Sequence, residues 1–551
     1  MNDIKIWVDG EPDVVEKGST LLELSKRYQE KFKQKILVAK IDGRYKELFH
    51  HIRYSCQIEF CDLNDTFANR IYVNALILLA NYACKSLFGN HFALKVLHSI
   101  DKGIYIETSR AITKEELMDV KVKMNQLISQ ALPIEKVNVS RMDAIEYFKN
   151  IHNDSKVKLL NYTTNTYITL YKLGNMYEYL YSMMPVSTDA FTDFDLTYVT
   201  ETGFVLQFPT PYMEKIEPYQ EHKQMFEVFE EYRSWKELMS LDNVADLNKK
   251  VSTGKIADII RIDEVLQSNR LLQLAKQIHS RKDELKIVLL SGPSSSGKTT
   301  TCRKLAMYLE SFGLHPKTIS MDDYFRDNKD SIIRPDGKPD YECLEAIDLN
   351  LFDEQISKLL KGEEVLTPTF NFLLGMKEFK NHMKLESNDI LMIEGIHGLN
   401  PKILTNIPAN KKYKVYLSPL IELNIDNLTR ISTTDNRLLR RLVRDNRTRG
   451  HGVDYTLASW QSVREGEEKY IFPCQDYADY TFNTALSYEI GVLKTYAEPL
   501  LYSVPVDSPY YDEAKRLIDM LQFFLPIPSE DIPDDSCLLY TSPSPRDYAA
   551  S

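Results

Sequence analysis

The chain has 551 residues, 43% of them hydrophobic and 27% charged, with a net charge of −11. That length exceeds one core and calls for two to four domains, and the acidic balance excludes a global basic field for nucleic acid. The seven cysteines form no C-x-x-C pair and no Cys/His metal spacing, and with no signal peptide at Met1-Asn2-Asp3-Ile4-Lys5 the cytoplasm is the expected compartment.

In chain order, Ile4-Lys5-Ile6-Trp7-Val8 alternates as a strand, Asp9-Gly10 is a hairpin turn and Thr20 to Phe32 is an amphipathic helix. Ile36 to Ile41, Asp42-Gly43 and Cys56 to Phe60 add strand and turn signals, so residues 1–63 read as a small β-grasp unit. Residues 65–230 mix helices (71–88, 113–131) with strands (103–108, 203–208), an α+β pattern. The most apolar stretch, Ile71 to Phe88, carries Asn74, Asn81 and Lys85, and is expected to be a buried helix rather than a membrane span. Residues 231–285 are charged and helical in pattern (Trp235, Leu238, Met239, Ile256, Ile259, Ile260, Val265) and read as a helical connector. Residues 286–525 alternate strand and helix signals, which predicts an α/β unit with a parallel sheet. Residues 526–551 read as a tail. From Cys537 the string Cys-Leu-Leu-Tyr-Thr-Ser-Pro-Ser-Pro-Arg-Asp resembles translated sequencing-adapter DNA, so 537–551 is expected to be a sequence artefact in place of the true C-terminus.

The chemistry concentrates after residue 286. Gly292-Pro293-Ser294-Ser295-Ser296-Gly297-Lys298-Thr299-Thr300 fits G-x-x-x-x-G-K-[ST], between the apolar run Ile287-Val288-Leu289-Leu290 and a helical pattern from Cys302 to Phe312. Strand, glycine loop and helix are the context of a phosphate-binding loop. Backbone N–H groups and a helix start would hold a polyphosphate, with Lys298 on the outer phosphates and the Thr299 hydroxyl for Mg²⁺. The Asn-Lys-x-Asp guanine reader is absent. The apolar strand Ile390-Leu391-Met392-Ile393 ends on Glu394, an acid placed to order Mg²⁺. Thr318-Ile319-Ser320 runs into Asp322 and Asp323, of which only one can face a site at the sheet's carboxyl end, as general base for an attacking hydroxyl; the other reading is a helix cap. Arg437, Arg440, Arg441, Arg444, Arg447 and Arg449 crowd one helical segment; either they meet a phosphate or they form a solvated face paired with Asp435 and Asp445.

The loop, SMDDYF (320–325), PTFNF (368–372), IEGIH (393–397) and the arginine run occur in the order and spacing that resemble the uridine kinase/phosphoribulokinase family over about 286–500. The resemblance implies a P-loop kinase using ATP and Mg²⁺. It gives Asp322 the base position, Thr299 and Glu394 the metal, and Arg440, Arg441 and Arg444 charge neutralisation from a lid. Glu342 would hold the ribose hydroxyls, with Phe325, Phe370, Phe372 and Arg449 around the acceptor. One departure stands out: Leu373-Leu374-Gly375-Met376 lacks the family's base-reading histidine. The implied activity is phosphorylation of a nucleoside, uridine or cytidine foremost, on its 5′-hydroxyl. The alternatives are another hydroxyl acceptor (a sugar phosphate or purine nucleoside) or an RNA- or ribosome-associated nucleotide switch. Residues 1–63 resemble the TGS domain that opens threonyl-tRNA synthetases, through STLLELSKRY (19–28) and AKIDGRYKEL (39–48). Residues 65–230 resemble the synthetase editing domain, through LILLANYACKSLFG (76–89) and IDKGIYIE (100–107). Val73 and Ile77 stand where that domain carries a histidine pair, so hydrolytic editing is not expected. A binding or regulatory role is expected instead; an RNA ligand fits poorly with the acidic charge, and a homo-oligomer is left open.

Overall fold

A β-hairpin opens the chain: Asp3–Val8 pairs antiparallel with Glu11–Glu16 across Asp9-Gly10, both at positive φ (51° and 85°). In this computed structural model residues 3–211, 215–334, 337, 339–371, 374–421 and 423–538 are described. The first sheet runs in the order 11–16, 3–8, 57–61, 38–41, 44–47, with 3–8 and 57–61 parallel at its centre. Helix Leu21–Tyr28 packs Leu21 and Leu24 onto it, and Thr20 with Glu23 forms a capping box. The helix stops at Tyr28, short of the predicted Phe32, because Gln29–Lys31 tightens into a 3₁₀ turn.

The next unit is built on helix Thr66–Phe88, N-capped by Asp65. It is the one described helix long and apolar enough to cross a membrane, yet Leu76, Leu79 and Ala80 are enclosed with Val96, Ile106 and Phe204 in a protein core. Strands 195–200, 203–207, 103–108 and 94–100 make one antiparallel sheet, and 176–178, 167–173 and 134–140 another. Ile77 is buried and Val73 packs against the same core, so neither position offers a proton-moving group.

The C-terminal sheet is wholly parallel, in the order 315–320, 389–394, 287–291, 412–418, 480–483. Strand Ile287–Ser291 lies at its centre, buried at every residue, as an apolar run requires between two covered faces. Helices Ile256–Ser280 and Lys298–Ser311 cover one face through Leu271, Leu274, Ile278, Leu305 and Leu309. The 231–285 segment therefore differs from the expected connector. Val244, Leu247, Ile256 and Ile260 also share a core with Leu438, Leu439 and Leu442 of helix Thr433–Arg449. The expected tail from 526 likewise begins inside the structure: Ile527, Ile532 and Leu538 are buried there, and Ile527 N–H donates to Gly491 O at 3.0 Å. Of the suspected artefact only Cys537 and Leu538 fall within the described residues.

Two polar seams join the N-terminal half to this unit. Lys156, fully buried, sits 2.8 Å from Asp426 and 3.3 Å from Glu178. Arg70 pairs with Glu513 at 2.8 Å, Glu513 with Arg516 at 2.8 Å, and Arg516 with Asp435 at 2.6 Å, in the first turn of helix Thr433–Arg449. Removing one member of a buried ion cluster leaves uncompensated charge, so Lys156→Met is expected to cost about 3–5 kcal/mol, read as a lowered thermal midpoint. A midpoint equal to wild type would contradict this reading of the seam.

Candidate active site

The central strand delivers Gly292 into a turn where only hydrogen fits: a Cβ there would stand 2.0 Å from Leu417 O. Gly297 closes the loop at φ 87° and caps helix Lys298–Ser311, whose free first-turn N–H groups and positive dipole end open on the loop. The Ser295 and Ser296 hydroxyls are buried with no protein partner, as a loop that receives phosphate oxygens would leave them. Lys298 Nζ donates to Gly292 O at 3.0 Å and Pro293 O at 3.2 Å. Burial pushes its pKa below the usual lysine value, against the pull of Glu394 and Asp322.

Glu394 ends strand Asp389–Glu394 and accepts from Thr299 Oγ1 at 3.0 Å and Ser320 Oγ at 3.2 Å. Burial, then the Asp322 charge, hold its pKa above the usual range. An all-oxygen set of hydroxyl and carboxylate suits Mg²⁺, which keeps several waters and phosphate oxygens of its own. Asp322 sits on the 3₁₀ turn Met321–Tyr324, and burial raises its pKa while Lys298, Arg449 and Arg444 draw it down. Asp323 points elsewhere and accepts the Phe370 N–H at 3.2 Å. Neither acid caps a helix. The turn divides them, and Asp322 is the one facing the lysine and arginines.

The arginine run forms helix Thr433–Arg449 and splits in two. Arg441, Arg444 and Arg449 gather around one buried carboxylate, Asp445, at 3.2, 2.7 and 3.7 Å. Three cations on one anion leave excess positive charge; burial, then Arg449, push the Arg444 pKa down to about 10. Arg440, expected beside them, lies behind the loop instead. It pairs with buried Glu489 and donates to Thr484 O at 2.9 Å, while Thr484 Oγ1 donates to Ser296 O at 2.6 Å. A buried glutamate needs a counterion, and that need holds Arg440 at Glu489, next to Gly297, rather than at Asp445. Arg437 is buried against Glu467. Asp435, weighed as a partner for this face, pairs with Arg516 instead.

On the acceptor side, burial and the Glu467 charge push the Glu342 pKa up to about 8. Phe325 and Phe370 are buried edge-to-face, ring centroids 5.8 Å apart, with Tyr341 5.2 Å from Phe325. Phe372 lies outside the described residues. Gly375, at φ 64°, abuts Asn328, whose Nδ2 would be 2.0 Å from a Cβ, so no side chain fits at that position, one of those where the family's histidine is expected; nearby Leu373 lies outside the described residues. Glu467 and Glu489 escaped the sequence reading: Glu467 is one of several acids between Glu465 and Glu468, and only burial distinguishes it.

Residues 287–490 match the model of the phosphoribulokinase/uridine kinase family. The match is confined to this C-terminal region, and with the uridine kinase relatives it supports a phosphotransferase there. A uridine kinase from Staphylococcus aureus is 27% identical over 194 residues, 35% of this chain and 84% of that one. A threonine–tRNA ligase from Finegoldia magna is 28% identical over 171 residues, 30% of this chain, and the match spans only 27% of the ligase. A Bacillus stearothermophilus structure described as a possible uridine kinase aligns over 39% of this chain and 98% of its own, at 20% identity and a TM-score of 0.26.

For this phosphotransferase region, Arg444→Gln is expected to leave the thermal midpoint nearly unchanged and to lower kcat about 10²-fold, the scale of a lost electrostatic stabiliser. Arg440→Gln strands Glu489 and is expected to cost about 3–5 kcal/mol of stability. Equal kcat losses at unaltered midpoints would contradict the division of the helix.

Proposed function

We propose that the protein transfers the γ-phosphate of ATP to the 5′-hydroxyl of a nucleoside, with uridine or cytidine the leading acceptors. The observation that carries this reading is the division of the acid pair: Asp322 faces Lys298 and the arginines, and Asp323 is tied to the Phe370 backbone. In this mechanism the phosphate loop and Lys298 hold the nucleotide's phosphates. Thr299 and Glu394 hold Mg²⁺, which when bound neutralises phosphate charge and orients the transferring group. Asp322 accepts the proton of the attacking hydroxyl, helped by a pKa raised by burial. Arg441 and Arg444 stabilise charge on the equatorial oxygens during transfer. Glu342 accepts from the vicinal hydroxyls of the acceptor, and the Phe325–Phe370 pair walls the base.

Gly375 favours a second reading. Backbone packed on Asn328 supplies no base-reading side chain, so an acceptor recognised through its hydroxyls alone, such as a purine nucleoside or a sugar phosphate, also fits. For the N-terminal half we propose a ligand-binding rather than hydrolytic role, in a cytoplasmic protein; the ligase similarity and the apolar Val73 and Ile77 support it.

Asp322→Asn is expected to bind ATP like wild type and to lose about 10²–10⁴-fold in turnover, the usual worth of a general base. Turnover within a few fold of wild type would remove Asp322 from that role.

A further inference from the structure

We propose that Glu467 is a positioning residue, locking the outer limb of the phosphate loop to the arginine helix and so setting the affinity for the nucleotide's phosphates. The proposal rests on the kinase reading above. Glu467 begins a π-helical turn, Glu467–Ile471, at the end of helix Val453–Gly466, and its side chain is fully buried. Such turns insert a residue into a helix and recur at functional sites.

Its carboxylate gathers donors from three elements. Oε1 accepts the Ser294 N–H of the phosphate loop at 3.0 Å. Both terminal nitrogens of Arg437, on the arginine helix, pair with the two oxygens, the Nη2–Oε2 contact being 2.7 Å. Arg464, on its own helix, donates to Oε2 at 2.9 Å. Burial alone would raise its pKa; Arg437 and Arg464 outweigh burial and hold it ionised.

Ser294 is fastened at every polar group. Its N–H goes to Glu467, its C=O accepts from Arg437 at 3.2 Å, and its hydroxyl accepts from Arg441 at 2.8 Å. Arg437 is itself buried and lies over Trp460, 5.4 Å from the ring centroid. The loop residue just ahead of the phosphate-cradling turn therefore takes its position from the helix that carries Arg441 and Arg444. The same turn reaches the acceptor side: a Cβ on Gly466 would stand 2.4 Å from Glu342 Cβ, so glycine lets the acceptor carboxylate pack there. A network of charged hydrogen bonds from three elements holds what it joins in place, and a loop that must meet phosphate oxygens within a fraction of an ångström gains most from it.

The test is Glu467→Gln, which keeps shape and removes charge. ATP affinity is measured by direct titration, and KM is measured separately for ATP and for the acceptor. The ATP Kd and KM are expected to rise about tenfold or more, the scale of a lost charged hydrogen bond, with the acceptor KM changing less, since Glu467 reaches Glu342 only through its charge and the packing at Gly466. Glu467→Asp, which keeps the charge, is expected to recover part of the loss. Should Glu467→Gln fail to fold, Arg464→Gln, which removes one partner near the surface, is expected to raise ATP KM about threefold. Unchanged ATP affinity in a folded variant, or equal rises in both KM values, would overturn the proposal. The titration needs no acceptor, so a wild-type protein that binds ATP but transfers nothing defeats the kinase reading and leaves the Glu467 result readable.

Discussion

Buried charge is the constraint on which the rest depends. Lys298, Asp322 and Glu394 meet in a half-buried site, where an ion taken partly out of water needs a partner. Each is held by neighbours: Lys298 by the loop carbonyls, Glu394 by Thr299 and Ser320, and Asp322 by the field of Lys298, Arg449 and Arg444. The arginine helix extends the same logic outward, since Arg437 answers Glu467, Arg440 answers Glu489, and Arg441, Arg444 and Arg449 share Asp445. That last group sets three cations against one carboxylate, and two of them, Arg444 and Arg449, act on Asp322. Arginines of one helix are thus divided by the carboxylates they neutralise.

The N-terminal half connects to this arrangement through ions rather than a flexible tether. Arg70, Glu513, Arg516 and Asp435 form a chain ending in the first turn of the arginine helix. Asp426, on the segment leading into that helix, is gripped by Lys156 from the other side. Val96 N–H also donates to Asn427 O at 2.7 Å. Helices 223–280 pack into the C-terminal core instead of spacing it from the rest, and Leu159 of the N-terminal half joins the same cluster.

The phosphate loop was legible because its chemistry leaves few options: Gly292 has no room for a side chain and Gly297 adopts a left-handed backbone. The strand before it was legible as an unbroken apolar run. Asp322 and Asp323 were not separable by pattern, since a 3₁₀ turn rather than strand alternation aims them. Arg440 and Arg441 are adjacent and chemically identical; their roles part only because Glu489, 49 residues beyond Arg440, lies on one side. The 231–285 helices looked like a connector because their charged faces are as prominent in sequence as their apolar ones. The packing of Ile527 and Ile532 was equally hidden, since single isoleucines between prolines show no period.

The central claim is transfer of phosphate to an acceptor hydroxyl at the Asp322 site. The most direct measurement is phosphorus NMR of the product formed from ATP, Mg²⁺ and each member of a nucleoside and sugar-phosphate panel. The account predicts acceptor-dependent ADP release and a new phosphomonoester, on the 5′-hydroxyl when the acceptor is a nucleoside. Slow hydrolysis to inorganic phosphate at the same rate with every acceptor, and with none, would contradict it.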